Sequence, residues 1–174
     1  MRFNCQEEVF QTGFLLKGRV VWFAWVASTT GSDYFMVENG VLLWSCERAD
    51  LEIRLRDKGY AVEKEASYFD VDALVGGLRR GFVVSPELAL NVWNLFTDFY
   101  SAIHRKTVAM FCAEFDSDGL YERLFSLCEV ARAVDLEAAQ LSVNDVKVLC
   151  EIVEAGLGMV DSHVHEGRGG KAVN

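Results

Sequence analysis

Apolar positions in the first quarter of the chain come in short dense runs, while those further on recur at helical spacing. Residues 20–27 (VVWFAWVA) are rich in β-branched and aromatic side chains and predict a buried strand. Residues 34–37 predict a second strand and residues 41–44 a third. Between them Glu38-Asn39-Gly40 is a turn signal, and Asn-Gly suits a two-residue type I′ loop. Residues 13–17 supply a further strand before these. Trp22 and Trp25 differ in parity along their strand, which sends the two rings to opposite faces of the sheet.

The period then lengthens. Ser45 can cap a helix from about Glu47 to Lys58, with Leu51 and Leu55 one turn apart and Gly59 as the stop. Residues 60–62 predict a short strand. Asp70 caps a helix over residues 71–80 whose Leu74 and Leu78 face inward, and which Gly76 and Gly77 weaken by roughly 1 kcal/mol each. Ser85-Pro86-Glu87 places a hydroxyl, a proline and a carboxylate where the unpaired amides and positive dipole end of a helix favour them. That helix runs to about Ile103, with Leu88, Val92, Leu95, Phe99 and Ile103 as one apolar stripe, widened by Trp93, Phe96 and Tyr100. Residues 108–111 fit a strand or a helical continuation. Ser117 or Asp118 opens the next helix, with Leu120, Leu124, Leu127 and Ala131 inward. Ser142 and Asp145 match the capping-box spacing and start a last helix carrying Val146, Leu149, Val153, Leu157 and Val160. With no internal repeat and no linker, the order predicts one α+β domain over residues 1–166. An N-terminal antiparallel sheet of about three to five strands packs one face against C-terminal helices, and residues 167–174 form a flexible tail.

Charge adds a second pattern. The 174 residues carry 17 Lys+Arg against 26 Asp+Glu, a formal net charge of −9. Residues 107–167 hold 12 acidic residues and only three basic ones, Arg123, Arg132 and Lys147, whereas the first 106 residues are nearly balanced. Such an excess argues against binding nucleic acid, because phosphate contacts need clustered Lys and Arg. Glu114, Asp116 and Asp118 gather at the entrance to the helical part, and Glu129, Asp135 and Glu137 follow at the next connection. These six are the candidate contacts for a basic protein partner, since opposed surface fields speed encounter. The plainer account of the same charge is solvation.

The usual enzyme signatures are missing: no GxSxG elbow, no HExxH and no GxxxxGK[ST] loop occurs. The histidines are His104, His163 and His165. On a helix the HxH pair points about 200° apart and does not share a metal, and His104 suits the negative end of the helix before it. Cys5, Cys46, Cys112, Cys128 and Cys150 are odd in number and include no CxxC, which suits neither a disulfide framework nor a zinc site. They read as apolar thiols of a protein in a reducing cytoplasm. Glu7 and Glu8 stand where a signal peptide would be apolar, and the longest apolar run is far short of the roughly 20 residues a membrane helix takes. No catalytic residue, cofactor or metal is predicted. Asn91, Asn94, Asp98 and Ser101 lie along one face of their helix, opposite the apolar stripe. They read as a solvent face or as a buried network with its own partners, and not as catalytic groups.

Residues 85–103 (SPELALNVWNLFTDFYSAI), centred on Val92-Trp93-Asn94-Leu95-Phe96, look like a helix of the type LLNxWNLFxD found in a group of small bacterial proteins. Residues 120–125 (LYERLF) and 148–160 (VLCEIVEAGLGMV) fit the final helices of that group. In this the chain resembles immunity-type proteins of contact-dependent inhibition and polymorphic toxin systems. The likeness rests on core positions, so it speaks to fold more than to contacts. It implies a non-enzymatic cytoplasmic protein that neutralises a cognate, basic toxin by direct binding. Two other classes stay open. One is a small hydrolase or transferase that brings Cys46 or Cys112 to His104. The other is an adaptor subunit with an exposed apolar sheet face around Trp22 or Trp25.

Overall fold

A computed structural model describes residues 7–28, 33–38, 40–81, 85–104, 119–134 and 141–166. Strands β1 (Glu7–Leu16) and β2 (Arg19–Ser28) form a long antiparallel hairpin, paired from Glu7↔Ser28 to Leu16↔Arg19. The two-residue loop between them, Lys17-Gly18, has φ of 51° and 71°. That pair of positive angles matches the right-handed twist of a hairpin but strains a lysine. The Asp72 carboxylate holds the loop there, accepting the Lys17 and Gly18 amides at 2.8 Å each.

The next two expected strands occur, each divided by a single residue. The pieces are β3 (Tyr34–Phe35), β4 (Val37–Glu38), β5 (Val41–Leu42) and β6 (Trp44–Ser45). β4 and β5 pair with Glu38 opposite Val41, the register that a two-residue turn gives, and Gly40 has a positive φ of 83°. β3 and β6 both pair with β2. At the divisions, Met36 donates its amide to the Ala24 carbonyl (2.9 Å) and Leu43 accepts the Ala24 amide (3.2 Å), which keeps the backbone satisfied.

Helix α1 (Arg48–Asp57) ends at Gly59, whose φ is 85°. It begins without a side-chain cap, although the Ser45 hydroxyl accepts the Glu47 amide at 3.1 Å. β7 (Val62–Asp70) then joins β1 in parallel and gives the order β3-β2-β1-β7, with β6 also on β2. Two expectations change here. The short strand placed at residues 60–62 is a nine-residue strand, and the sheet is mixed rather than wholly antiparallel. Residues 62–70 (VEKEASYFD) lack an apolar alternation because β7 is an edge strand, exposed over Glu63, Lys64 and Glu65. Charged side chains on an edge discourage pairing with other chains and hide the strand from periodicity.

Helices also cover both faces of the sheet, not one. Leu51 and Leu55 of α1 pack on Val9, Ala24, Val26 and Leu43. On that face Trp22 lies over Gly13, its register partner, where an added Cβ would come within 2.7 Å of the indole. The Arg48 guanidinium sits 5.7 Å from the Trp22 ring and donates to Gln11, which is itself buried. The opposite face carries the main core. Phe14, Leu16, Val21, Phe23 and Phe35 meet helices α2 (Val71–Arg79), α3 (Pro86–His104), α4 (Leu120–Val134) and α5 (Val143–Glu166). Phe14 is its centre: the ring stacks on Phe96 (8° between planes) and touches Phe23, Phe35 and Phe69. Burying such rings supplies most of the stabilisation, at roughly 25 cal/mol per Å² of apolar surface.

Three of the predicted helix starts are borne out, and the one at Ser117 or Asp118 lies outside the described residues. The Asp70 carboxylate accepts the Ala73 amide (2.8 Å), and the Ser85 hydroxyl the Leu88 amide at a longer 3.4 Å. At α5, Asp145 donates its amide to the Ser142 hydroxyl (3.1 Å) while the Asp145 carboxylate accepts the Ser142 amide (3.2 Å). This is the reciprocal capping box, with Arg123 of α4 bonded to the same carboxylate at 2.6 Å. No helix among the described residues is long and apolar enough to cross a membrane.

Candidate functional site

The helix-covered face of the sheet does not close along its whole length. Side chains of β1 on this face run Leu16, Phe14, Thr12, and the first two lie under apolar cover. The next rank, Thr12 opposite Ser67 with Trp25 beside it, meets the polar side of α3 instead. The result is an open cleft of about 470 Å³ between the sheet and α3, walled by Trp25, Asp33, Asn91, Asn94, Asp98 and Tyr121. Its size falls in the range of small-ligand sites. No basic side chain stands among its described lining residues.

Four of the polar groups are held from behind. The Trp25 indole N–H donates to the Asp98 Oδ2 at 3.3 Å. Asp33 accepts the Ser28 amide at 3.0 Å, which fixes its carboxylate at the end of β2. The Tyr121 hydroxyl donates to Asn94 Oδ1 at 3.0 Å, and its ring meets Trp93 edge-on. Thr97 turns its hydroxyl back onto the Trp93 carbonyl (2.9 Å), so only its flank faces the cleft. Burial pushes the Asp98 carboxyl up to about 6; the Trp25 hydrogen bond opposes that rise and the nearby Asp33 carboxylate adds to it. A strongly shifted group in a cleft marks a candidate site.

The polar stripe Asn91, Asn94, Asp98 and Ser101 is thus neither a plain solvent face nor a closed network. Its first three members form one wall of the cleft, and the Ser101 hydroxyl is enclosed without a partner among the described residues. The parity of Trp22 and Trp25 holds, and only Trp25 reaches the cleft. Neither ring lies on a bare sheet face, because Arg48 covers Trp22 and Asp98 bonds Trp25. Asp33 and Tyr121 were not singled out by the sequence, since only the fold brings residues 33 and 121 to residue 98.

Of the six carboxylates expected to meet a partner, Glu129 is exposed on α4. Glu114, Asp116, Asp118, Asp135 and Glu137 lie outside the described residues, as do Cys5, Cys112 and residues 108–111 and 167–174. Four other acids of the C-terminal part are paired locally: Asp145 with Arg123, Glu151 with Lys147, Glu154 with Arg79, and Asp161 with Lys17. Arg79 and Lys17 come from the N-terminal half, so the charge imbalance along the chain is smaller in space than in sequence. His163 bonds the Met159 carbonyl (2.9 Å) and sits edge-on to Phe99, while His104 packs on Tyr100. Among the described residues no cluster of His, Cys, Asp and Glu has the arrangement of a metal site. Cys128 is buried, and burial pushes the Cys150 thiol up, with Glu154 adding to it, so both suit the apolar role expected of them; Cys46 departs from it and is exposed. Comparison with protein families, with characterised proteins and with solved structures finds no match to this chain.

Proposed function

We propose that this is a non-enzymatic binding protein of immunity type, which neutralises a basic toxin domain by direct contact. The observation that carries the reading is the cleft itself. Two carboxylates, Asp33 and Asp98, stand in it beside aromatic walls with no basic group among the described lining residues. A partner that brings positive charge supplies the missing counter-charge in a partly desolvated place, where electrostatic attraction is stronger than in water. The acid excess of the whole chain favours the same kind of partner and speeds encounter with it. The likeness of residues 85–103 to immunity-type helices points the same way. Glu129, with Glu114, Asp116, Asp118, Asp135 and Glu137, belongs in this proposal to the surrounding field that steers the partner. The cytoplasm is the compartment such a protein would work in.

The test is to express the toxin domain encoded beside the gene, with and without this chain. The expected result is restored growth, a 1:1 complex, and an association rate that falls steeply as salt rises, because exposed charges are screened beyond about 8 Å at physiological ionic strength. Continued toxicity with no complex overturns the proposal, and a complex whose association rate ignores salt removes its electrostatic part.

A further inference from the structure

We infer that the cleft between β1, β2 and α3 is a guanidinium site, which seats an arginine side chain of the partner between Asp98 and Asp33. This rests on the binding function proposed above and names the group that the partner inserts.

The charge and hydrogen-bonding groups of the walls select the ligand. Asp33 and Asp98 offer carboxylate oxygens, and Asn91 and Asn94 each carry an amide oxygen and an NH2 group. The indole N–H of Trp25 is already used on Asp98, and the Tyr121 hydroxyl proton on Asn94. Thr12 lines the same wall and is 1% exposed. The only charged groups among the described lining residues are thus two carboxylates, and the complementary ligand is a cation that donates several hydrogen bonds. Guanidinium has five N–H donors in a planar fork and no acceptor. It also stacks on aromatic rings, which Trp25, Phe69 and Tyr121 supply, and it is more weakly hydrated than an ammonium.

Anionic ligands fit badly, since two carboxylates would repel them. A neutral apolar ligand would strip water from both carboxylates and return only the single bonds they already accept from Trp25 and Ser28. Lysine is the nearer competitor. Its ammonium has three donors at a point and is costlier to dehydrate, so it satisfies fewer of these acceptors at once.

The experiment uses the full chain and three small probes: N-acetyl-arginine amide, the corresponding lysine amide and the neutral citrulline amide. Binding is followed by tryptophan fluorescence and by chemical shifts of the Trp25 indole N–H. The expected result is saturable binding of the arginine probe at neutral pH, with citrulline weaker by at least about tenfold and lysine between them. Asp98→Asn and Asp33→Asn are each expected to weaken the arginine probe by about tenfold or more, with the fold retained. Equal binding of arginine and citrulline, or no saturable binding of the arginine probe by the wild-type chain, overturns the site without recourse to any variant. The two proposals separate cleanly. A neutralising complex whose affinity ignores both aspartate substitutions refutes the guanidinium site and leaves the binding function. Selective capture of the arginine probe by a chain that neutralises no toxin supports the site and refutes the function.

Discussion

Replacing Asp98 by Asn should make the protein more stable at neutral pH and leave it little changed in acid. The carboxyl is raised from 3.8 to about 6 in the folded chain. Each unit of difference between folded and unfolded states is worth about 1.4 kcal/mol, so the ceiling is about 3 kcal/mol. Asp98 still meets the water of the cleft, and screening there reduces the expected cost to about 1–2 kcal/mol. The sign follows from proton binding. Between about pH 4 and pH 6 the folded chain keeps a proton that the unfolded chain releases. Stability attributable to this group therefore falls as pH rises through that window, and the loss is complete above it. Asn carries no charge to desolvate and retains an oxygen that can accept the Trp25 N–H. Urea denaturation of both proteins from pH 4 to pH 8, read by tryptophan fluorescence, isolates the effect, because other titrating groups cancel in the difference. The expected difference is near zero at the acid end and about 1–2 kcal/mol in favour of Asp98→Asn at pH 7.5. A difference that stays flat over the whole range would refute the view that burial sets the state of this carboxyl.

Other outcomes follow from packing and capping. In Gly156→Ala the new Cβ would come within 2.2 Å of the buried Phe96 ring, which is pinned against Phe14, so thermal and urea melts should show a loss of about 1–3 kcal/mol. Asp145→Ala removes the α5 cap and the Arg123 bond together and should cost about 2 kcal/mol by the same melts, while Asp145→Asn recovers part of it. Burial would raise the Asp145 carboxyl, but the bonds from Arg123 and Ser142 outweigh that and hold it below 3.8. Its contribution is therefore present above about pH 4 and is lost as pH falls through the lowered value, which acid titration of the two variants would show. Asp72→Ala strips the acceptor from the Lys17-Gly18 loop, so hydrogen exchange at those two amides should accelerate, with about 1 kcal/mol lost overall.

Local signals proved reliable where the cause was local. The Glu38↔Val41 pairing, the Gly59 stop, the Asp70 cap and the Ser142/Asp145 box each depend on neighbours within about four residues and occur as expected, whereas Ser45 accepts the Glu47 amide without capping α1. The edge strand β7 was legible only at its first residue, because a strand with a solvated edge needs no apolar alternation. The turn at Lys17-Gly18 was missed for a related reason: Lys is a poor turn residue by itself, and Asp72, distant in sequence, holds it. Part of the candidate cleft showed through. The stripe Asn91, Asn94, Asp98 was visible as a polar face on an otherwise apolar helix, and Trp25 as the ring of opposite parity to Trp22. Nothing linear connects Asp98 with Asp33, Thr12 or Tyr121.

Periodicity, caps and turn residues are properties of a few consecutive positions, and they were enough to establish an α+β chain with strands first and helices after. They also set which side of α3 is apolar. Whether the other side of α3 would face open water or a sheet was a matter of tertiary packing. The apolar cover from α2, α4 and α5 ends one rank short of Thr12, and so leaves a partly desolvated space in front of Asp98. Desolvation depends on everything within several ångströms, whatever its place along the chain. The shifted carboxyl and the cleft therefore exist only once the sheet and α3 have met.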